Sequence, residues 1–132
     1  MNAYFQFTSK KEIRKVALKE IMYFSSSDRV ISVHLTNGTV ERFYGKLDGV
    51  EKELKENNKR FLRIHQSYLV NYDHVCRLRY TKIFLAGDDG KEIELEISER
   101  RMKAVHLAGI VALVFMVIQK HMNKRYALKF AR

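Results

Sequence analysis

Between Tyr4 and Tyr44 apolar and polar residues alternate in short runs, and this spacing constrains the fold more than any other feature of the chain. YFQF, IRKVAL, IMYF, VISVHL and TVERFY are rich in β-branched and aromatic residues, so their two-residue period predicts strands with one buried face. Thr36-Asn37-Gly38 separates VISVHL from TVERFY; Asn and Gly accept positive φ, which predicts a hairpin. The period changes at residues 46–57, KLDGVEKELKEN, where Leu47, Val50 and Leu54 fall on one helical face. Strand spacing returns in VCRLRY, KIFLA and EIELEI, and Gly87-Asp88-Asp89-Gly90 closes a last hairpin. The pattern predicts a mostly β domain with one short helix, ending near Ser98.

The 132 residues suffice for one domain with a single core, and 46% apolar with 30% charged residues describes a folded chain. The single cysteine, Cys76, excludes an intrachain disulfide framework and fits a reducing cytosol; its strand pattern places it in the core. MNAYFQFTSKK has no apolar run of a secretory signal. The formal charge is +10, and all fifteen acids precede residue 100. Through Val105 there are 20 basic against 15 acidic residues; beyond it there are five basic and no acidic ones. Such an excess favours a polyanionic partner, nucleic acid or an anionic membrane surface.

The stretch RFLRIHQSYLVNYDHV, residues 60–75, concentrates polar side chains among apolar ones. His65 and Ser67 would share a strand face, as a base and a nucleophile could. No acid stands at a telling position, however, and no glycine-rich loop flanks the serine. The five histidines, at 34, 65, 74, 106 and 121, form no HxxxH or Cys/His spacing, so no metal or other cofactor is expected. The plainer role for His65, Ser67 and Asn71 is to tie down a turn between two apolar strands. Arg63, Gln66 and Tyr68 could then face outward from that turn.

Phe61-x-Arg63-Ile64-His65-x-Ser67-Tyr68-Leu69-Val70-Asn71, followed by His74-Val75, closely resembles the hallmark of the LytTR DNA-binding domain, the effector module of a class of bacterial response regulators. Leu18-Lys19-Glu20-Ile21-Met22-Tyr23-Phe24, Asn37-Gly38, Phe43-Tyr44-Gly45-Lys46-Leu47 and Ile97-Ser98-x-Arg100-Arg101 match further landmarks of the family in order. The resemblance implies about ten short strands in antiparallel sheets with one helix. It also implies a non-enzymatic transcription regulator that binds double-stranded DNA through loops in successive major grooves, often on paired direct repeats, as a homodimer or in tandem. Carried over by position, Arg29, Gln66 and Arg100 are the expected base readers. An Arg fork suits guanine and a Gln amide suits adenine. Lys46, Arg63, Ser67, Lys82, Arg101 and Lys103 are the expected backbone contacts, and His65 and Asn71 the structural residues of the motif. Six neutralised phosphates would give log K a slope of about −5 against log salt. The plain alternative for Arg29 and Arg100 is a solvated surface charge.

Most relatives carry a receiver domain before this module, whereas this sequence starts almost at the first strand, so it is either a piece of a longer chain or a stand-alone regulator, and the second is the leading expectation. The expected division is a DNA-binding domain over residues 1–103 and an apolar, basic helical extension over 104–132. Residues 107–118, LAGIVALVFMVI, contain twelve residues without a polar side chain. As a helix that run spans about 18 Å, short of a hydrocarbon core of ~30 Å. Stretched to Met102–Met122 it reaches ~30 Å but takes in His106 and Gln119. A dimerisation or packing helix, membrane insertion, docking to a membrane-protein partner through residues 104–122, and an irregular tail remain open. The leading expectation is thus a cytoplasmic DNA-binding regulator, with membrane association through the tail left open. The rival is a membrane-surface or protein-interaction module working through its C-terminal helix.

Overall fold

The computed structural model describes residues 4–57 and 60–109. Over residues 4–96, ten strands and the helix α1 follow one another: β1 (Tyr4–Ser9), β2 (Glu12–Ala17), β3 (Ile21–Ser27), β4 (Val30–Leu35), β5 (Val40–Tyr44), α1 (Leu47–Asn57), β6 (Phe61–His65), β7 (Tyr68–Asn71), β8 (Val75–Leu78), β9 (Lys82–Ala86) and β10 (Glu92–Glu96). All pairings are antiparallel. They form a β1-β2 ribbon, a five-stranded sheet in the order β5-β4-β3-β7-β6, and a three-stranded sheet in the order β10-β9-β8. Both expected glycine hairpins form, with Gly38 at φ 89° and Gly90 at φ 74°. Gly87 has a second role: a Cβ there would lie 2.7 Å from the Thr36 carbonyl oxygen, so the β9-β10 turn can seat against the β4-β5 turn only as glycine.

The five-stranded sheet is covered on both faces, which its central strand records. In β3, Ile21 and Phe24 enter one core with Phe5, Phe7 and Val16 of the ribbon and Leu47, Val50 and Leu54 of α1. Met22 and Tyr23 enter the other, with Ile64, Val70, Ile83, Leu85, Leu95, Ile97 and Val105. The two neighbours point the same way because the register shifts between Ile21 and Tyr23. Each such side chain, fully buried, contributes about 1.5–3 kcal/mol.

The chain does not leave this core at Ser98. A 3-10 turn, Glu99–Arg101, leads into helical residues 102–109, and Val105 is 0% exposed. Its carbonyl accepts a hydrogen bond from the Tyr72 phenol at 2.9 Å, and burial pushes that phenol's pKa up to about 12. Cys76, by contrast, is exposed and not in the core. It sits where β8, an edge strand, shifts register between Val75 and Arg77, so the alternation that predicted burial is interrupted at that residue. No helix among the described residues is long and apolar enough to cross a membrane. The dimer and membrane readings of the tail concern a segment that, beyond Gly109, lies outside those residues.

Candidate nucleic-acid interface

Three turns carry the three expected base readers, and backbone hydrogen bonds tether each to its neighbour. The first is the two-residue turn Asp28-Arg29 between Ser27 and Val30, which pair across β3 and β4. Both turn residues have positive φ, 49° and 65°. This is the twist a tight hairpin requires, here adopted without glycine at roughly 1 kcal/mol per residue. The Arg29 carbonyl accepts from Gly45 N–H at 2.9 Å, which brings the approach to α1, with Lys46, beside the Arg29 tip.

The second turn is Gln66-Ser67, closed by the His65–Tyr68 pair of β6 and β7. His65 Nδ1 accepts from the Ser67 backbone N–H at 3.0 Å, and Ser67 O accepts from Ser26 N–H at 3.0 Å, which joins this turn to the end of β3. Arg63 lies beneath it and is only 6% exposed. Its Nε donates to His65 O at 2.8 Å and its Nη2 donates to Gln66 O. Its Nη1 donates to Asp48 Oδ1 at 2.8 Å and Glu51 Oε1 at 3.0 Å, both on α1. Burying a guanidinium costs several kcal/mol unless its donors are satisfied, and four acceptors satisfy this one. Asn71, 2% exposed, closes the far end of β7. Its amide donates to Leu18 O and Ile21 O, while its Oδ1 accepts from Asp73 N–H.

The third turn, Glu99–Arg101, is anchored by Ser98, whose N–H donates to Ile64 O at 2.9 Å. Arg100 and Arg101 are thereby held beside the outgoing end of β6.

These turns border two adjoining grooves. One, of about 230 Å³, is lined by Ser26, Arg29, Gly45, Lys46, Leu47, Asp48, Arg63 and Gln66. The other, of about 400 Å³, is lined by Asp48, Arg63, His65, Gln66, Ser98, Arg100 and Arg101. Asp48, Arg63 and Gln66 belong to both, so Gln66 stands between Arg29 and Arg100 on one surface. Lys82 and Lys103 line neither groove, and Lys82 pairs with Glu94 at 3.2 Å. Arg63, expected to face phosphate, forms the floor between the grooves. Lys46, Arg29, Arg100 and Gln66 are exposed. Asp48 is exposed too, and Arg63 beside it, then Arg101 and Lys46, hold its carboxyl below the usual carboxylate range. The surface is therefore basic with one ionised acid at its centre. Among the described residues no group of His, Cys, Asp and Glu is placed to hold a metal ion.

The family model of the LytTR DNA-binding domain matches residues 11–109. The chain belongs to the LytTR family. A solved LytTr DNA-binding domain of a response regulator from Bacillus cereus has the same fold, with a TM-score of 0.55 at 18% identity over 73% of this chain and 88% of that one. No protein of curated function matches. LytTR domains bind DNA, and membership makes this chain a DNA-binding transcription regulator.

Two features of this LytTR domain went unread in the sequence: the inward turn of Arg63 and the acid at the centre of the surface. Strand period gave the first signal, since Arg63 is two residues after Phe61, which faces α1. Helix period gave the second, since Asp48 and Glu51 are three apart and neighbour each other on α1.

Proposed function

We propose that this protein regulates transcription by reading repeated promoter elements, with Arg29 and Arg100 entering successive major grooves on either side of Gln66. The observation that carries this reading is the alignment of those three residues along two adjoining grooves that share Gln66. Arg29 and Arg100 offer planar forks to guanine O6 and N7, and Gln66 offers a donor and an acceptor to adenine. Lys46, Ser67 and Arg101 flank them as backbone contacts, which position the protein without reading sequence. Two copies would occupy direct repeats in the cytoplasm, each copy reading one element.

Selection of bound sites from a random duplex library by the full-length chain, at two salt concentrations, tests this. The expected result is a short motif repeated at about one helical turn, with a salt slope of about −2 per bound copy from Lys46 and Arg101. Uniform binding without a motif would reduce the basic surface to a generic polyanion binder. Gln66→Ala and Arg100→Ala should each lose ~1–3 kcal/mol of discrimination at one base pair while keeping affinity for unrelated duplex.

A further inference from the structure

We propose that Arg63 is a positioning residue: it sets base discrimination by fixing the Gln66 turn against α1, without itself touching DNA. The proposal rests on the reading above and assigns the buried arginine of that site a part distinct from phosphate binding. Four observations carry it. Arg63 is 6% exposed, so its charge is not presented to a polyanion. Its Nε and Nη2 take the carbonyls of His65 and Gln66, two consecutive peptide groups of the very turn that displays the Gln66 side chain. Its Nη1 takes Asp48 and Glu51 on the first turns of α1. The Lys46–Leu47 approach to that helix is in turn bonded to the Arg29 tip through Gly45 N–H.

One guanidinium thus spans from the Gln66 turn to the helix whose entry abuts Arg29. Turn carbonyls usually face water and leave the turn free to move. Here they are held by a rigid, planar set of donors, so the distance between the Gln66 and Arg29 readers is set within the free protein. A reader held in place needs less ordering when it meets its base pair. Asp48 and Glu51 have the further effect of neutralising the guanidinium, so Arg63 adds no net attraction for phosphate.

Arg63→Lys separates this role from a phosphate contact, because lysine keeps the charge but lacks the fork that holds two carbonyls and two carboxylates at once. The full-length variant and the wild type are compared on the selected duplex and on an unrelated one, across a salt series, with thermal melting as a control for folding. Positioning predicts that the ratio of the two affinities falls at least tenfold. It also predicts that affinity for the unrelated duplex stays within about twofold and that the salt slope is unchanged. An unchanged ratio in R63K overturns the proposal. So does a parallel loss on both duplexes, which is the signature of a phosphate contact. If R63K does not fold, Glu51→Gln decides in the same way: it keeps an acceptor of the same shape but weakens the tie to α1, and a smaller drop in the ratio, with no loss of affinity for the unrelated duplex, is expected. A wild type that discriminates beside a variant that discriminates equally removes only the positioning role. A wild type that selects no motif removes the promoter-reading function, and the positioning role with it.

Discussion

The Gln66-Ser67 and Asp28-Arg29 turns are both two-residue connections that present a long polar side chain to the same surface, yet the fold holds them by opposite means. At Gln66-Ser67 the backbone is tied from outside itself: two carbonyls to Arg63, one to Ser26, and an N–H to His65. At Asp28-Arg29 a single carbonyl is bonded to Gly45, and the turn instead adopts positive φ at both residues. The first turn is ordered by side chains buried for that purpose. The second is ordered by strand pairing strong enough to impose a strained conformation. A turn can therefore be made rigid by hydrogen bonds or by geometry, and the two leave different vulnerabilities.

Removing the tie should have the largest effect. Arg63→Ala leaves two turn carbonyls and Glu51 Oε1 without their Arg63 donor and should destabilise the domain by ~3 kcal/mol, lowering the melting temperature by roughly 10 °C. Arg29→Ala, on the strained turn, should change stability by less than ~0.5 kcal/mol, because its exposed side chain supports nothing beneath it. Equal losses in thermal unfolding would erase the distinction between the two turns.

Behind both turns β3 pairs with β4, which carries His34 opposite Tyr23. His34 stacks on Tyr23 with ring centroids 3.9 Å apart, and its Nε2 lies 2.9 Å from Ser25 Oγ. Burial, and then Arg42, lowers its pKa to about 4. The folded state therefore resists protonation that the unfolded chain accepts near its ordinary value of 6.5. Stability from this group is present above pH 6.5 and is lost as pH falls toward 4, by ~1–2 kcal/mol after allowing for its partial exposure. Urea unfolding of the wild type and of His34→Gln at pH 7 and pH 4.5 should show that the substitution removes this part of the acid sensitivity.

Asp28→Asn together with Arg29→Gly supplies the residue pair that the observed φ values favour, and should raise stability by ~1 kcal/mol. The same variant should bind its selected duplex less tightly, since the Arg29 fork is gone. Greater stability with unchanged affinity would show that Arg29 reads no base. The smallest effect is expected at Lys82, whose exposed pair with Glu94 lies off both grooves. Lys82→Ala should shift stability by less than ~0.5 kcal/mol and leave the salt slope unchanged.

Much of this architecture was legible because it is written in local periods. Alternation in VISVHL, the Asn37-Gly38 pair, and the Leu47, Val50 and Leu54 spacing each express a geometry that neighbouring residues set among themselves. The hallmark around residues 61–75 likewise marked where the candidate surface lies. The places where local pattern misled are those where a register shift or an edge intervenes: Cys76 is turned outward at a bulge, and Met22 and Tyr23 share a face that strict alternation would split. Lys10-Lys11, a tight turn with φ of 49° and 64°, carried none of the glycine or asparagine that signals one. There, pairing along the whole of β1 and β2 overrides the preference of two residues.

By itself the sequence determined the strand-rich class, the helix α1 and the two glycine hairpins, since all of these follow from neighbours a few positions apart. Tertiary structure alone decided that Arg63 turns toward α1 and that Arg29, Gln66 and Arg100 lie on one surface. It also decided that Asn71 bonds to Leu18 and Ile21, some fifty residues earlier, and that Val105 closes the second core. The physical reason is range: a side chain's partner across a sheet or beneath a helix is chosen by packing of whole elements, and no periodicity within a segment carries that choice.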